Sequence, residues 1–108
     1  MAEKTSYSEH FAKLPASIQK AVQLIVDELD PQEVILFGSR AREDHRENSD
    51  FDLAVKASTL DQGSWARVLL AINEDSITLY PVDVVHFERM AKDYQKNISK
   101  EGKSLYVR

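Results

Sequence analysis

The apolar residues of this chain change their spacing from helical to alternating and back several times within 108 residues, and that alternation restricts the fold more than any other feature. Leu14, Ile18, Val22, Ile25, Val26 and Leu29 recur at the spacing of one helix face, which predicts a helix over 15–29 with Pro15 in its first turn. Asp30-Pro31 stops it, because the residue before a proline is pushed out of helical geometry. Val34 to Phe37 is a short apolar run, read as a buried strand that Gly38 ends. Ser39 to Arg42 starts a short helix, and the polar stretch 43–49 is a loop. Phe51, Leu53 and Val55 alternate with Asp50, Asp52 and Ala54, which predicts a second strand. Thr59 and Gln62 have capping-box spacing ahead of a helix whose Trp65, Val68, Leu69 and Ile72 share one face. A third strand is expected over 77–86, with Pro81 marking an edge or bulge. Phe87, Met90, Tyr94 and Ile98 mark a last helix that Gly102 caps. Leu105 to Val107 is either a short terminal strand or a docked tail. Strands interleaved with helices predict an α+β fold, a small mixed sheet flanked by helices.

The length suits a single domain over 1–108, with 1–12 as a poorly ordered terminus. No apolar stretch approaches bilayer length, and Met1 to His10 is polar with no apolar signal core. A cytoplasmic location without membrane contact is therefore expected. The sequence has no cysteine, which excludes disulfides and thiolate metal sites. The net charge is −4 and no basic stripe is evident, which argues against long nucleic acid as a partner. Arg40, Arg42 and Arg46 cluster locally and suit a small anion. Interleaved with Glu43, Asp44 and Glu47, they also read as a solvated charged loop.

The residues that carry chemistry are two aspartates, a glycine-serine step and a third aspartate. Alternate residues of a strand point the same way, so Asp50 and Asp52 share a face. Ionised carboxylates held that close repel, and a bound cation resolves the conflict. An all-oxygen donor set favours magnesium or manganese. Alone, the pair more readily describes the solvated face of a strand than a metal site. Gly38-Ser39 follows the first strand, where a glycine lets backbone N–H groups approach an anion and the Ser39 hydroxyl adds a donor. Ten residues separate Ser39 from Asp50. Asp83 sits within Pro81-Val82-Asp83-Val84-Val85, an aliphatic stretch where a charge needs a partner. Beside the Asp50–Asp52 strand it would bring a third carboxylate to the same place. The histidines His10, His45 and His86 have no metal-ligand spacing and are read as structural or solvated.

Phe37-Gly38-Ser39-Arg40-Ala41-Arg42 followed by Ser49-Asp50-Phe51-Asp52-Leu53 resembles the signature of the DNA polymerase β-like nucleotidyltransferase superfamily. More narrowly it resembles the minimal nucleotidyltransferases of prokaryotes, the short antitoxins of HEPN/MNT pairs. The resemblance spans roughly residues 15 to 107 and departs from the family at Glu43, where many relatives carry glycine. It implies ATP or another NTP bound with two magnesium ions, manganese being an alternative. It implies that Gly38 and Ser39 hold the triphosphate, that Asp50 and Asp52 bind both ions, and that Asp83 binds one and helps activate the nucleophile. Arg40 and Arg42 would neutralise charge on the β- and γ-phosphates. It further implies a helical HEPN-type toxin as partner, modified with AMP on a tyrosine hydroxyl. The alternative is a non-catalytic antitoxin that neutralises its partner by contact, with a vestigial nucleotide site.

Overall fold

In a computed structural model, residues 6–44, 46, 47, 49–74 and 80–108 are described. The elements in chain order are α1 (Glu9–Ala12), α2 (Ala16–Leu29), β1 (Glu33–Phe37), α3 (Ser39–Arg42), β2 (Phe51–Lys56), α4 (Gln62–Glu74), β3 (Val82–His86), a 3-10 turn (Phe87–Arg89), α5 (Lys92–Glu101) and β4 (Lys103–Val107). The strands form one sheet in the order β3-β2-β1-β4. β1 is antiparallel to both β2 and β4, whereas β3 runs parallel to β2 after the crossover through α4. The sheet is therefore mixed, as the alternation of patterns predicts.

Period-two alternation divides each strand between two faces. Val34 and Leu36 of β1, Leu53 and Val55 of β2, Val84 of β3 and Leu105 of β4 pack with Ile18, Val22 and Ile25 of α2 and Val68 and Ile72 of α4 in the main core. The opposite face carries a smaller cluster, in which Ile35 and Ala54 meet Phe87 and Ile98. Asp52 and Lys56 are on that second face with Ala54, at its two ends. The 3-10 turn and α5 pack on that second face through Phe87 and Ile98, while Asp52 remains partly exposed.

Several boundaries differ from the sequence reading. Pro15 is the N-cap of α2 rather than a first-turn residue, while Asp30 at φ 47° ends the helix by donating its N–H to Val26 O. α4 is capped not by Thr59 but by Asp61, whose Oδ2 accepts the Ser64 N–H at 2.8 Å and the Ser64 Oγ–H at 3.1 Å. These bonds hold the Asp61 carboxyl below its usual value. The last helix is broken: Phe87 lies in the 3-10 turn, and Tyr94 is 58 % exposed rather than core. Gly102 caps α5 in an extended conformation, not a left-handed one. The β3 strand begins at Val82, and 77–79 lie outside the described residues. The tail forms β4. Residues 6–12, expected to be a loose end, pack instead: Ser8 Oγ caps α1, Phe11 is buried, and Tyr7 bridges Tyr106. His10 is thus part of α1 and His45 lies outside the described residues, whereas His86 Nε2 donates to Ala57 O at 2.9 Å, a structural use.

Candidate active site

The chain turns sharply where β1 ends. Gly38 has φ 76° and ψ −158°, a backbone conformation L side chains rarely adopt. A Cβ there would also collide with Asp52 Oδ2 and lie 3.3 Å from Asp52 Cγ. Glycine is therefore required both by the turn and by the carboxylate lying against it. Ser39 follows, half-buried, and opens the single turn of α3, whose Ala41 and Arg42 N–H groups donate to Gly38 O. The turn closes at Glu43, φ 65°, whose N–H bonds Ser39 O. A glycine would adopt that angle with less strain than glutamate.

Asp52 is flanked in the sheet on both sides. Its Cα is paired with Phe37, next to Gly38, and with Asp83 on β3. Neighbouring strands are about 4.8 Å apart, and paired residues direct their side chains to one face. Asp83 is thus brought beside Asp52, as the sequence reading expects. Asp50 precedes β2 and is exposed, as is Asp83, whereas Asp52 is partly buried. Among the described residues no three acidic or histidine side chains already converge as a metal-ligand shell. The electrostatics nonetheless join the three: the Asp52 carboxyl is pushed above its ordinary value, first by burial, then by the charges of Asp83 and Asp50. Arg42 opposes this weakly. Excess negative charge at an all-oxygen donor set fits a hard divalent cation, which would relieve the repulsion that burial makes worse.

The arginines divide differently. The Arg40 guanidinium bonds Ser49 O through Nε (3.3 Å) and Nη2 (3.1 Å) and Glu47 O through Nη2 (2.9 Å). It also stacks 4.2 Å from the Phe51 ring centroid and 5.4 Å from that of Tyr80. In this arrangement it ties the loop before Asp50 to the start of β2. Arg42 pairs with Asp44 (3.1 Å) and Glu101 (3.4 Å), both on the surface. Arg40 is thus engaged within the protein, whereas Arg42 acts electrostatically on Asp52. The sequence reading missed the loop anchor. Its signal is an arginine directly after the turn, an aromatic residue between the two aspartates and a second aromatic, Tyr80, at the head of β3. It also missed Lys103, which pairs with Glu43 at 2.6 Å and lines with Arg40 a cleft of 470 Å³.

The family model described as polymerase beta, nucleotidyltransferase matches residues 19–108. No curated protein matches the chain. Among solved structures, the chain is similar to one of a toxin-antitoxin with AMP-PNP, at 28 % identity and a TM-score of 0.63, covering 87 % of this chain and 75 % of that one. It is similar to a structure described as a minimal nucleotidyltransferase, at 26 % identity and a TM-score of 0.66, covering 86 % and 93 %. A third similarity is to a chain in a structure of a tri-AMPylated Shewanella oneidensis HEPN toxin in complex with MNT antitoxin, at 26 % identity and a TM-score of 0.55, covering 85 % and 71 %.

Proposed function

Because this chain belongs to the polymerase β nucleotidyltransferase family, we propose that it transfers AMP from ATP to a tyrosine hydroxyl of a HEPN-type toxin and acts as that toxin's antitoxin. The observation that carries the reading is the Gly38–Asp52–Asp83 juxtaposition: a glycine turn closed against a partly buried carboxylate that has a second carboxylate in register beside it. The similar complexes, one with AMP-PNP and one with an AMPylated HEPN toxin, support the donor and the partner. A cytoplasmic location fits this role, and among the described residues no helix is long and apolar enough to cross a membrane.

Asp50, Asp52 and Asp83 would hold magnesium or manganese, and Gly38 and Ser39 the triphosphate. Divalent cations, when bound, neutralise the phosphates and stabilise charge on the entering and leaving oxygens. The protein's own share is positioning. Gly38 presents backbone to the phosphates, and the Ser39 hydroxyl donates to one of their oxygens. Arg42 adds positive charge nearby. The acceptor hydroxyl attacks the α-phosphorus, its new P–O bond forming as the bond to pyrophosphate breaks. Asp83, exposed at the head of β3, takes the hydroxyl proton. Arg40 contributes by fixing the loop that carries Asp50.

The test is to mix the purified chain, the HEPN-type protein encoded beside it, magnesium and ATP labelled at the α-phosphate. Label on a partner tyrosine, absent without magnesium, supports the reading. A partner that is silenced while unlabelled means neutralisation by contact alone.

A further inference from the structure

We propose that the outer side of α5 is a docking surface for an acidic helix of a protein partner. Lys92, Lys96 and Lys100 stand at i, i+4 and i+8 and are all exposed, so they form one row along the helix. At 1.5 Å per residue the row is about 12 Å long. With Lys56 of β2, Phe87, Gln95 and Ser99 it lines an open groove of 550 Å³. Lys56 reaches Glu33 at 3.8 Å and lies 4.9 Å from the Phe87 ring centroid, so it is held at the groove floor. Among the described residues, none of the three row lysines forms an ion pair. Asp93 is three residues before Lys96, yet no ion pair joins them, and Glu101 is engaged with Arg42.

Like charges four apart weaken a helix, and α5 has only ten residues in which to absorb that cost. The row therefore works against the isolated chain, and it does so in a protein whose net charge is −4. An anionic counterpart from outside reverses the sign of the effect. A partner helix with carboxylates every fourth residue repeats at the same interval of about 6 Å and matches the row charge for charge. A nucleic acid fits less well. Binders of that kind commonly engage about 6–10 phosphates, the row contains no arginine for bidentate phosphate contact, and the rest of the chain repels a polyanion. The proposal rests on the reading above only in supposing a protein partner.

The test needs no nucleotide, so a failed transferase leaves it readable. A stapled helical peptide with Glu at three positions four apart, its Gln counterpart and a short single-stranded RNA are titrated against the full chain by fluorescence anisotropy. The Glu peptide is expected to bind at least roughly tenfold tighter than the Gln peptide at about 50 mM salt, with the difference collapsing at about 200 mM. Lys92→Gln/Lys96→Gln/Lys100→Gln should erase the preference, whereas Lys13→Gln/Lys20→Gln should keep it. Circular dichroism should find the triple variant folded and melting no lower than the parent. Equal binding of the two peptides, a preference that survives the triple variant, or RNA bound more tightly than the Glu peptide through the same lysines would overturn it.

Discussion

Asp52 and Asp83 are register partners across the parallel pairing of β2 with β3. Asp52 is the more buried of the two, and its carboxyl holds its proton to higher pH than it would in the unfolded chain, where the ordinary value is 3.8. The folded state thus binds the extra proton, so this group favours folding below that value, and the benefit disappears as pH rises through the raised value. At neutral pH the ionised Asp52 is a cost. Asp52→Asn should raise the melting temperature at pH 7 and leave it unchanged near pH 3. Magnesium should raise the melting temperature of the parent and leave the variant unmoved. Thermal scans at the two pH values, with and without magnesium, check both signs.

Gly38→Ala meets two penalties together. The backbone at φ 76° and ψ −158° is one that essentially only glycine adopts and costs another residue about 1–3 kcal/mol, and the added Cβ drives into the Asp52 carboxylate. Denaturant unfolding should report a loss of at least about 1 kcal/mol, and transfer should fall by more than that loss of folded protein explains.

Arg40→Lys keeps the charge but not the planar fork that spans Ser49 O and Glu47 O and stacks on Phe51. Stability should drop by about 1 kcal/mol. The rate of transfer should fall while ATP affinity changes little, since Arg40 acts through the loop before Asp50. Single-turnover rates at saturating ATP separate the two effects.

Glu43→Gly releases the left-handed strain at φ 65° and removes the surface pair with Lys103. Relieved strain of about 1 kcal/mol outweighs an exposed ion pair, so the midpoint of urea unfolding should hold or rise.

Asp61→Ala removes the cap of α4 at a distance from the carboxylates. It should lower the midpoint of urea unfolding and leave transfer per folded molecule unchanged, which makes it the control for stability loss alone.

Much of this was legible from the chain itself. The 3.6-residue stripe of α2 and the alternation of Phe51, Leu53 and Val55 specify their own burial, because each pattern has only one face that can meet a core. The pairing of Asp83 with Asp52 was legible as an aspartate stranded among valines. What was hidden depends on contacts between distant residues. The last helix is interrupted by the 3-10 turn at Phe87–Arg89, and Tyr94 in the α5 that follows is exposed. Ser8 and Tyr7 find their partners on β4 (Ser104 O and Tyr106), nearly a hundred residues later. The bonds from Arg40 to the carbonyls of Glu47 and Ser49 were likewise hidden, because no local pattern announces them.

The most direct measurement is the single-turnover rate of AMP transfer to the partner by the parent and by Asp52→Asn, with partner affinity measured on the same samples. A fall of about a thousandfold or more with affinity unchanged is the predicted result. Transfer by Asp52→Asn at the parental rate would contradict the account.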